Sequence, residues 1–368
     1  MIGAPSRYPD IVHASRFFAP DPIALLLINN SLTLAVSPME WNRAKAVCSH
    51  ANVLTAADLG LPQRATLARC AMELLDQQHI KHIVVPDWLP IRTARTFEKA
   101  GFTLTNDEGG LLRERAIKDA VAVEHIDKAQ RASFDSFLGA VEIIRRARIR
   151  KNGELHFRNQ PLTAERLRQA IQMHLLEAGY ETPLPPIVAC GKLAADPHET
   201  GCGTLKAYEP IVLDIFPRCQ RSGYWGDLTR TVFRGTPPDR LMRMYEAVAA
   251  AQQAAFTACQ PGATCSAVHN EALRIFKQHG FETNLKTMPP FGFTHSTGHG
   301  VGLDIHELPR LAKGQRTRLR AGHVVTIEPG LYYPEEAGIR IEDIVAVTPR
   351  AHRILGRIQP LEHTPILS

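Results

Sequence analysis

GYWGDLTRT (residues 223–231) sets the reading of this chain. From Asp227 onward it reads as a strand, because Leu228, Thr229 and Thr231 fit extended backbone. Side chains two apart share a face, so Asp227 and Thr229 point the same way, and Thr229 can hydrogen-bond a carboxylate that ligates a cation. Just upstream, IVLDIF (211–216) ends an apolar run on Asp214, where an unpaired carboxylate is costly and a bound cation removes the cost. Three more chemically capable side chains follow: His299 in HSTGHGVGLDIHE (295–307), Glu328 in VVTIEPG (324–330) and Glu342 in IRIEDIVAV (339–347). In the last of these Arg340 shares a face with Glu342 and brings a positive charge beside it. A lone acid on a strand is more often a salt-bridge or turn residue, and His299 between glycines alone would read as loop. Together, four carboxylates and one imidazole form a hard, oxygen-rich set. That set suits two divalent cations sharing bridging carboxylates better than one tetrahedral zinc, which makes a dinuclear metallohydrolase the leading reading. Mn, Co, Fe and Zn are all compatible with it.

The rest of the composition narrows the class. At 368 residues the chain is long enough for two or three domains, and 44% hydrophobic with 22% charged residues excludes disorder. No apolar run approaches the roughly 20 residues of a membrane span, and MIGAPSRYPDIVHAS lacks a basic region followed by an apolar one. A cytoplasmic protein with no membrane partner is expected. The seven cysteines are odd in number and form no CxxC pair, so neither a disulfide framework nor a thiolate zinc site is indicated. The net charge of +6 is scattered, and its densest run, GQRTRLRAG (314–322), reads as a solvated loop, so no nucleic-acid partner is expected.

The chain divides near residue 120. Before it, PIALLLIN (22–29) and SLTLAVS (31–37) flank Asn29-Asn30 as a hairpin, and helices are predicted from Pro38, over 64–78, and over 91–100 closed by Gly101, with a strand at 80–86. This small α/β domain, residues 1–120, carries no phosphate loop, nucleophile elbow or acidic pair, so its role is structural or gating. Residues 121–368 begin with one long helix expected from Asp119 to Arg150, with Ile126, Ala129, Phe137, Val141 and Ile144 on one stripe. Helices opened by Thr163, Asp239 and Thr264 follow. Strands between and after them carry the five candidate ligands, which describes an α+β domain.

PHETG (197–201), VLDIF (212–216), GYWGDLTRT, HSTGHGVGLDIHE, TIEPGLY (326–332) and IRIEDIVAV resemble, as a set, the motifs of the pita-bread metallopeptidases. That group contains prolidase, aminopeptidase P, methionine aminopeptidase and creatinase. The resemblance covers about residues 120–350 and implies a pita-bread catalytic domain preceded by a creatinase-type N-terminal domain. Carried over by position, it implies that Asp214 holds one metal, Asp227 and Glu342 bridge, and His299 with Glu328 hold the other. It further implies that Glu328 relays a proton, that His198, His295 and His306 contact substrate, and that Arg340 contacts the bridging acid or the substrate.

The sequence departs from the family pattern at three points. Twelve residues separate Asp214 from Asp227, about two more than is common, Phe216 stands where glycine is usual, and Glu199 follows His198 where an aromatic residue is frequent. The activity implied is hydrolysis of the bond before proline in short peptides, with Xaa-Pro dipeptides preferred because the chain and its first domain are short. Xaa-Pro aminopeptidase is the alternative. A creatinase-like amidinohydrolase has no need of five ligands, and an inactive protein-binding scaffold has no need of intact ones. A homodimer is the default assembly.

Overall fold

Asn29 and Asn30 take left-handed backbone angles, φ 48° and 62°, the mirror-image turn that matches strand twist. The computed structural model, which describes residues 1–356 and 365–368, places them between two antiparallel strands as expected. Contacts divide the chain into Met1–Arg115 and Ala116–Ser368.

In the first unit, β1 (Ile2–Gly3), β2 (Ile23–Ile28), β3 (Ser31–Ala35) and β4 (Asn52–Leu54) form a sheet in that order, and β5 (His82–Val85) pairs in parallel with β6 (Thr103–Asn106). Helices α1 (Pro9–Ser15), α2 (Pro38–Val47), α3 (Leu67–Gln77), α4 (Ile91–Lys99) and α5 (Gly110–Arg115) accompany them. Pro38 opens α2, where a missing N–H costs nothing.

In the second unit α6 spans Ala120–Arg146, its first turn capped by the Asp119 carboxylate, which accepts from the Ala122 N–H at 2.8 Å. It stops short of the expected Arg150 because Ala147 turns extended and Arg148–Ile149 pairs with Leu155–Phe157. Its stripe residues Ile126, Ala129, Phe137, Val141 and Ile144 are all buried. With α7 (Ala164–Glu177, capped by Thr163) it packs on a sheet ordered β7 (Ile187–Cys190), β8 (Pro210–Ile215), β9 (Leu228–Arg234), then Ile366–Leu367. Each large apolar side chain buried there contributes about 1.5–3 kcal/mol.

A second pair, α8 (Asp239–Ala258) and α9 (Cys265–Gln278), backs the other sheet. Thr264 caps α9, whereas Pro238 precedes α8 and Asp239 sits in its first turn, where its charge suits the helix dipole. That sheet uses β10 (Gly298–Gly300), β11 (Glu307–Leu311), β12 (Val324–Ile327), the later strand Asp343–Val347 and an edge strand His352–Ile354, in the order β11-β10-β12 and then the last two. A separate hairpin, β13 (Gly330–Tyr333) with β14 (Ala337–Arg340), lies between them in sequence. The result is α+β, two sheets each backed by a helix pair. Among the described residues, no helix is long and apolar enough to cross a membrane.

Candidate metal centre

Only two of the five candidate ligands sit within strands, Asp214 in β8 and His299 in β10. Asp227 precedes β9, Glu328 follows β12, and Glu342 falls between β14 and the next strand. Strand ends release side chains from ladder geometry, which lets both sheets aim carboxylates at one point.

Asp214 stands opposite Thr229 in the β8/β9 ladder. Its Oδ2 accepts from Arg340 Nη2 at 2.7 Å, while Oδ1 is buried without a partner. Asp227 is held by a side chain from 97 residues away: Gln130 on α6 accepts from its N–H and donates to its carbonyl, both at 2.7 Å. Gly226 permits this approach, since a Cβ there would lie 2.6 Å from the Ala129 carbonyl and 2.7 Å from Ser133 Oγ. Glu342 takes a 2.6 Å hydrogen bond from Thr229 Oγ1 to Oε2, as the shared-face argument implied for Thr229, and its Oε1 is buried without a partner.

His299 turns Nδ1 to the Gly300 carbonyl at 3.0 Å. A carbonyl only accepts, so Nδ1 carries the proton and Nε2 presents its lone pair, 3.6 Å from Asp227 Oδ2 and 3.3 Å from Glu328 Oε1. One ligand atom each from Asp227, His299 and Glu342 lie within 4.8 Å of one another. Glu328 is fixed by its N–H, which donates to the Thr297 carbonyl at 2.8 Å, and by Thr326 Oγ1 at 3.3 Å.

Electrostatics record the crowding. Burial first, and then neighbouring carboxylates, push Asp227 and Glu342 well above the usual carboxylate range, and burial raises Glu328. Burial lowers His299 to about 4, keeping it neutral. Two oxygens without partners, a proton-free imidazole nitrogen and mutually repelling acids fit a site for divalent cations.

The other predicted residues lie around this set. His295 bonds the Tyr332 hydroxyl through Nε2 at 2.8 Å, and its Nδ1 is 4.0 Å from Glu328 Oε2. His306 is exposed and stands perpendicular to His299, ring centroids 4.3 Å apart; partial burial, then His299 and Arg310, lower its pKa. His198 is exposed and electrostatically coupled to His295 and His306. The resemblance implied that Arg340 touches the bridging acid or substrate. Its guanidinium bonds Asp214 (2.7 Å), Tyr332 (2.8 Å) and Thr229 (3.2 Å), and it meets Glu342 through charge and through the shared Thr229 hydroxyl.

Several positioning groups escaped sequence reasoning. Gln130 has no local signal. Tyr332 lies inside TIEPGLY, and burial raises its hydroxyl to about 12. Arg230 and Gln252 fix Asp343, next to Glu342, at 2.7 and 3.1 Å. Arg310 is exposed and electrostatically coupled to both His299 and His306. Of the loop arginines, Arg318 bonds the Gly262 carbonyl at 2.7 Å. The longer Asp214–Asp227 connection folds as a short strand, Arg218–Cys219, against Tyr180–Glu181, and Phe216 packs beside Ile187, Ala189, Ala194 and Val212.

The sequence profile of metallopeptidase family M24 matches residues 124–349, and the chain belongs to that family. It is 32% identical over 249 residues to the Xaa-Pro dipeptidase of Pyrococcus furiosus, an alignment taking in 67% of this chain and 64% of that protein. The chain thus spans less than two thirds of the length of the curated relatives it matches first. Its fold is similar to the X-Pro aminopeptidase of Thermotoga maritima, with TM-score 0.82, 22% identity, and 97% and 94% of the two chains covered. The prolidase of Pyrococcus furiosus gives TM-score 0.76 at 24% identity, covering 95% and 94%. The fold is therefore the pita-bread fold with a preceding N-terminal domain, and the family's chemistry is peptide hydrolysis with divalent metal.

Proposed function

We propose that this chain is an exopeptidase that uses two divalent ions (Mn, Co, Fe or Zn) to hydrolyse the bond before proline, with Xaa-Pro dipeptides as substrates. The carrying observation is a set of three buried carboxylates, Asp214, Asp227 and Glu342, with half-buried Glu328 and the neutral imidazole of half-buried His299, in which two oxygens, Asp214 Oδ1 and Glu342 Oε1, are partnerless. Asp214, Asp227, His299, Glu328 and Glu342 would hold the ions. When bound, such ions supply Lewis-acid activation of water and of the scissile carbonyl.

The chain's own groups do the remaining work. Glu328, its pKa raised by burial, takes a proton from the attacking water and hands it to the leaving nitrogen. Neutral His306, with His295 and His198 nearby, donates a hydrogen bond toward the developing oxyanion. Arg340 is a positioning residue that holds Asp214 and, through Thr229, Glu342. Arg310, the exposed cation beside His299 and His306, meets the carboxylate that follows proline. Proline leaves as a tertiary amide without N–H, so an apolar wall suffices on that side. Residues 1–120 act as a creatinase-type N-terminal domain and 121–368 as the catalytic domain. The proposed working form is a homodimer in the cytoplasm, a reducing compartment that suits seven unpaired cysteines.

Parallel assays of Xaa-Pro, Xaa-Pro-Yaa and Met-Ala peptides with added Mn test the reading. Much faster cleavage of Xaa-Pro is expected, because a third residue would displace the charge-assisted contact. Equal or faster cleavage of the tripeptide would make the protein an Xaa-Pro aminopeptidase.

A further inference from the structure

His269 lies on the buried face of α9, beside Cys265, Val268, Ala272 and Phe276, where packing alone would ask for an apolar residue. Its imidazole grips the segment 293–299 at two points. Nδ1 is 2.9 Å from Thr297 Oγ1, and the ring lies against Phe293, centroids 5.2 Å apart. Both contacts lead into the candidate metal centre. Phe293 packs edge-on against His295 at 5.3 Å, the Thr297 carbonyl accepts the Glu328 N–H at 2.8 Å, and Thr297 is two residues from His299. Thr297 is fully buried, and its N–H donates to the Leu311 carbonyl, so only its side chain is left to be fixed from the helix side.

We infer that His269 is a positioning residue of the metal centre: its hydrogen bond to Thr297 locks the segment that carries His295 and His299 and, through the Thr297 carbonyl, sets the backbone of Glu328. This inference rests on the reading of Asp214, Asp227, His299, Glu328 and Glu342 as metal ligands. The imidazole itself touches none of those five. It acts at one remove, as a partner that fixes ligand orientation, a class of contact whose loss typically weakens metal affinity by about 10–100-fold. Burial holds His269 neutral, lowering it to about 4, so the hydrogen bond persists across the working pH range.

The test uses the full chain stripped of metal and titrated with Mn²⁺ against a chelator of known affinity, alongside thermal unfolding of the stripped protein. His269→Leu keeps the volume and loses the hydrogen bond; His269→Asn keeps a polar atom near the Nδ1 position. Expected is an approximately tenfold or greater loss of Mn²⁺ affinity in His269→Leu, with most of it recovered in His269→Asn. Thr297→Val removes the other partner without changing shape, serves if His269→Leu does not fold, and should weaken Mn²⁺ binding alike. The His269→Leu/Thr297→Val double variant should bind no worse than either single one, because both remove one interaction. A wild-type chain that binds Mn²⁺ with variants that bind it equally well, whatever their unfolding temperature, overturns the role of His269 alone. A wild-type chain that takes up no Mn²⁺ overturns the ligand assignment on which it rests.

Discussion

Glu342→Gln separates a metal-binding carboxylate from a merely structural one, because the two roles give opposite signs. Glutamine keeps the side-chain volume and an oxygen to accept the Thr229 hydroxyl, which now lies 2.6 Å from Oε2, and it removes the charge. In the metal-free protein that charge is a liability. A Glu342 oxygen lies within 4.8 Å of an Asp227 oxygen. At an effective dielectric of about 20, two unit charges at that separation repel by about 3 kcal/mol. Both acids hold protons more tightly than usual, which discounts the repulsion, so about 1–3 kcal/mol of relief is expected. At about 2–4 °C per kcal/mol for a unit of this size, stripped Glu342→Gln should melt roughly 2–12 °C above stripped wild type near pH 8. With Mn²⁺ the order reverses, since wild type gains stability from a tightly bound ion and the variant gains little. Thermal unfolding with and without Mn²⁺ reads both. A stripped variant that melts below wild type while binding Mn²⁺ with unchanged stoichiometry would refute the reasoning.

Three other outcomes are expected. His306→Ala should retain its metal and lose about 10²–10³ in kcat, the effect of removing one oxyanion donor; loss of metal instead would show that His306 is a ligand. Arg310→Met should raise KM for Xaa-Pro about tenfold with little change in kcat, whereas an unchanged KM would place the substrate carboxylate elsewhere. The stripped protein should lose stability as pH rises above about 6.5. Asp227, Glu328 and Glu342, raised by burial, keep protons that the unfolded chain has released, so the folded state binds more protons and stability falls with pH. His299, lowered from 6.5 to about 4, acts in the opposite sense only below its ordinary value. A melting temperature that climbs from pH 6.5 to 8.5 would contradict this assignment.

Local chemistry made part of the molecule legible. Asp119, Thr163 and Thr264 accept backbone N–H groups at their helix starts, as short polar residues before an apolar stripe should, and Asn29-Asn30 makes its turn. Strand periodicity also put Thr229 on the side of a carboxylate, although its partner proved to be Glu342, 113 residues on. What periodicity could not supply was the exit of side chains at strand ends, which is where Asp227, Glu328 and Glu342 lie. It also gave no sign of long-range clamps. Gln130 on Asp227, Arg340 on Asp214 and His269 on Thr297 each join segments between 28 and 126 residues apart, and although a local pattern drew attention to Arg340, none of the three partners could be read from one. The helix from Ala120 ended early for a related reason: the pairing of Arg148–Ile149 with Leu155–Phe157 outweighed a helical continuation that local sequence allowed.

The decisive measurement is the rate of Xaa-Pro hydrolysis by stripped protein as Mn²⁺ is added in known equivalents. No hydrolysis before addition and a plateau near two equivalents per chain are expected if the proposed set of four carboxylates and one imidazole holds two ions. Hydrolysis that is indifferent to metal, or none at saturating Mn²⁺, would contradict the proposed function.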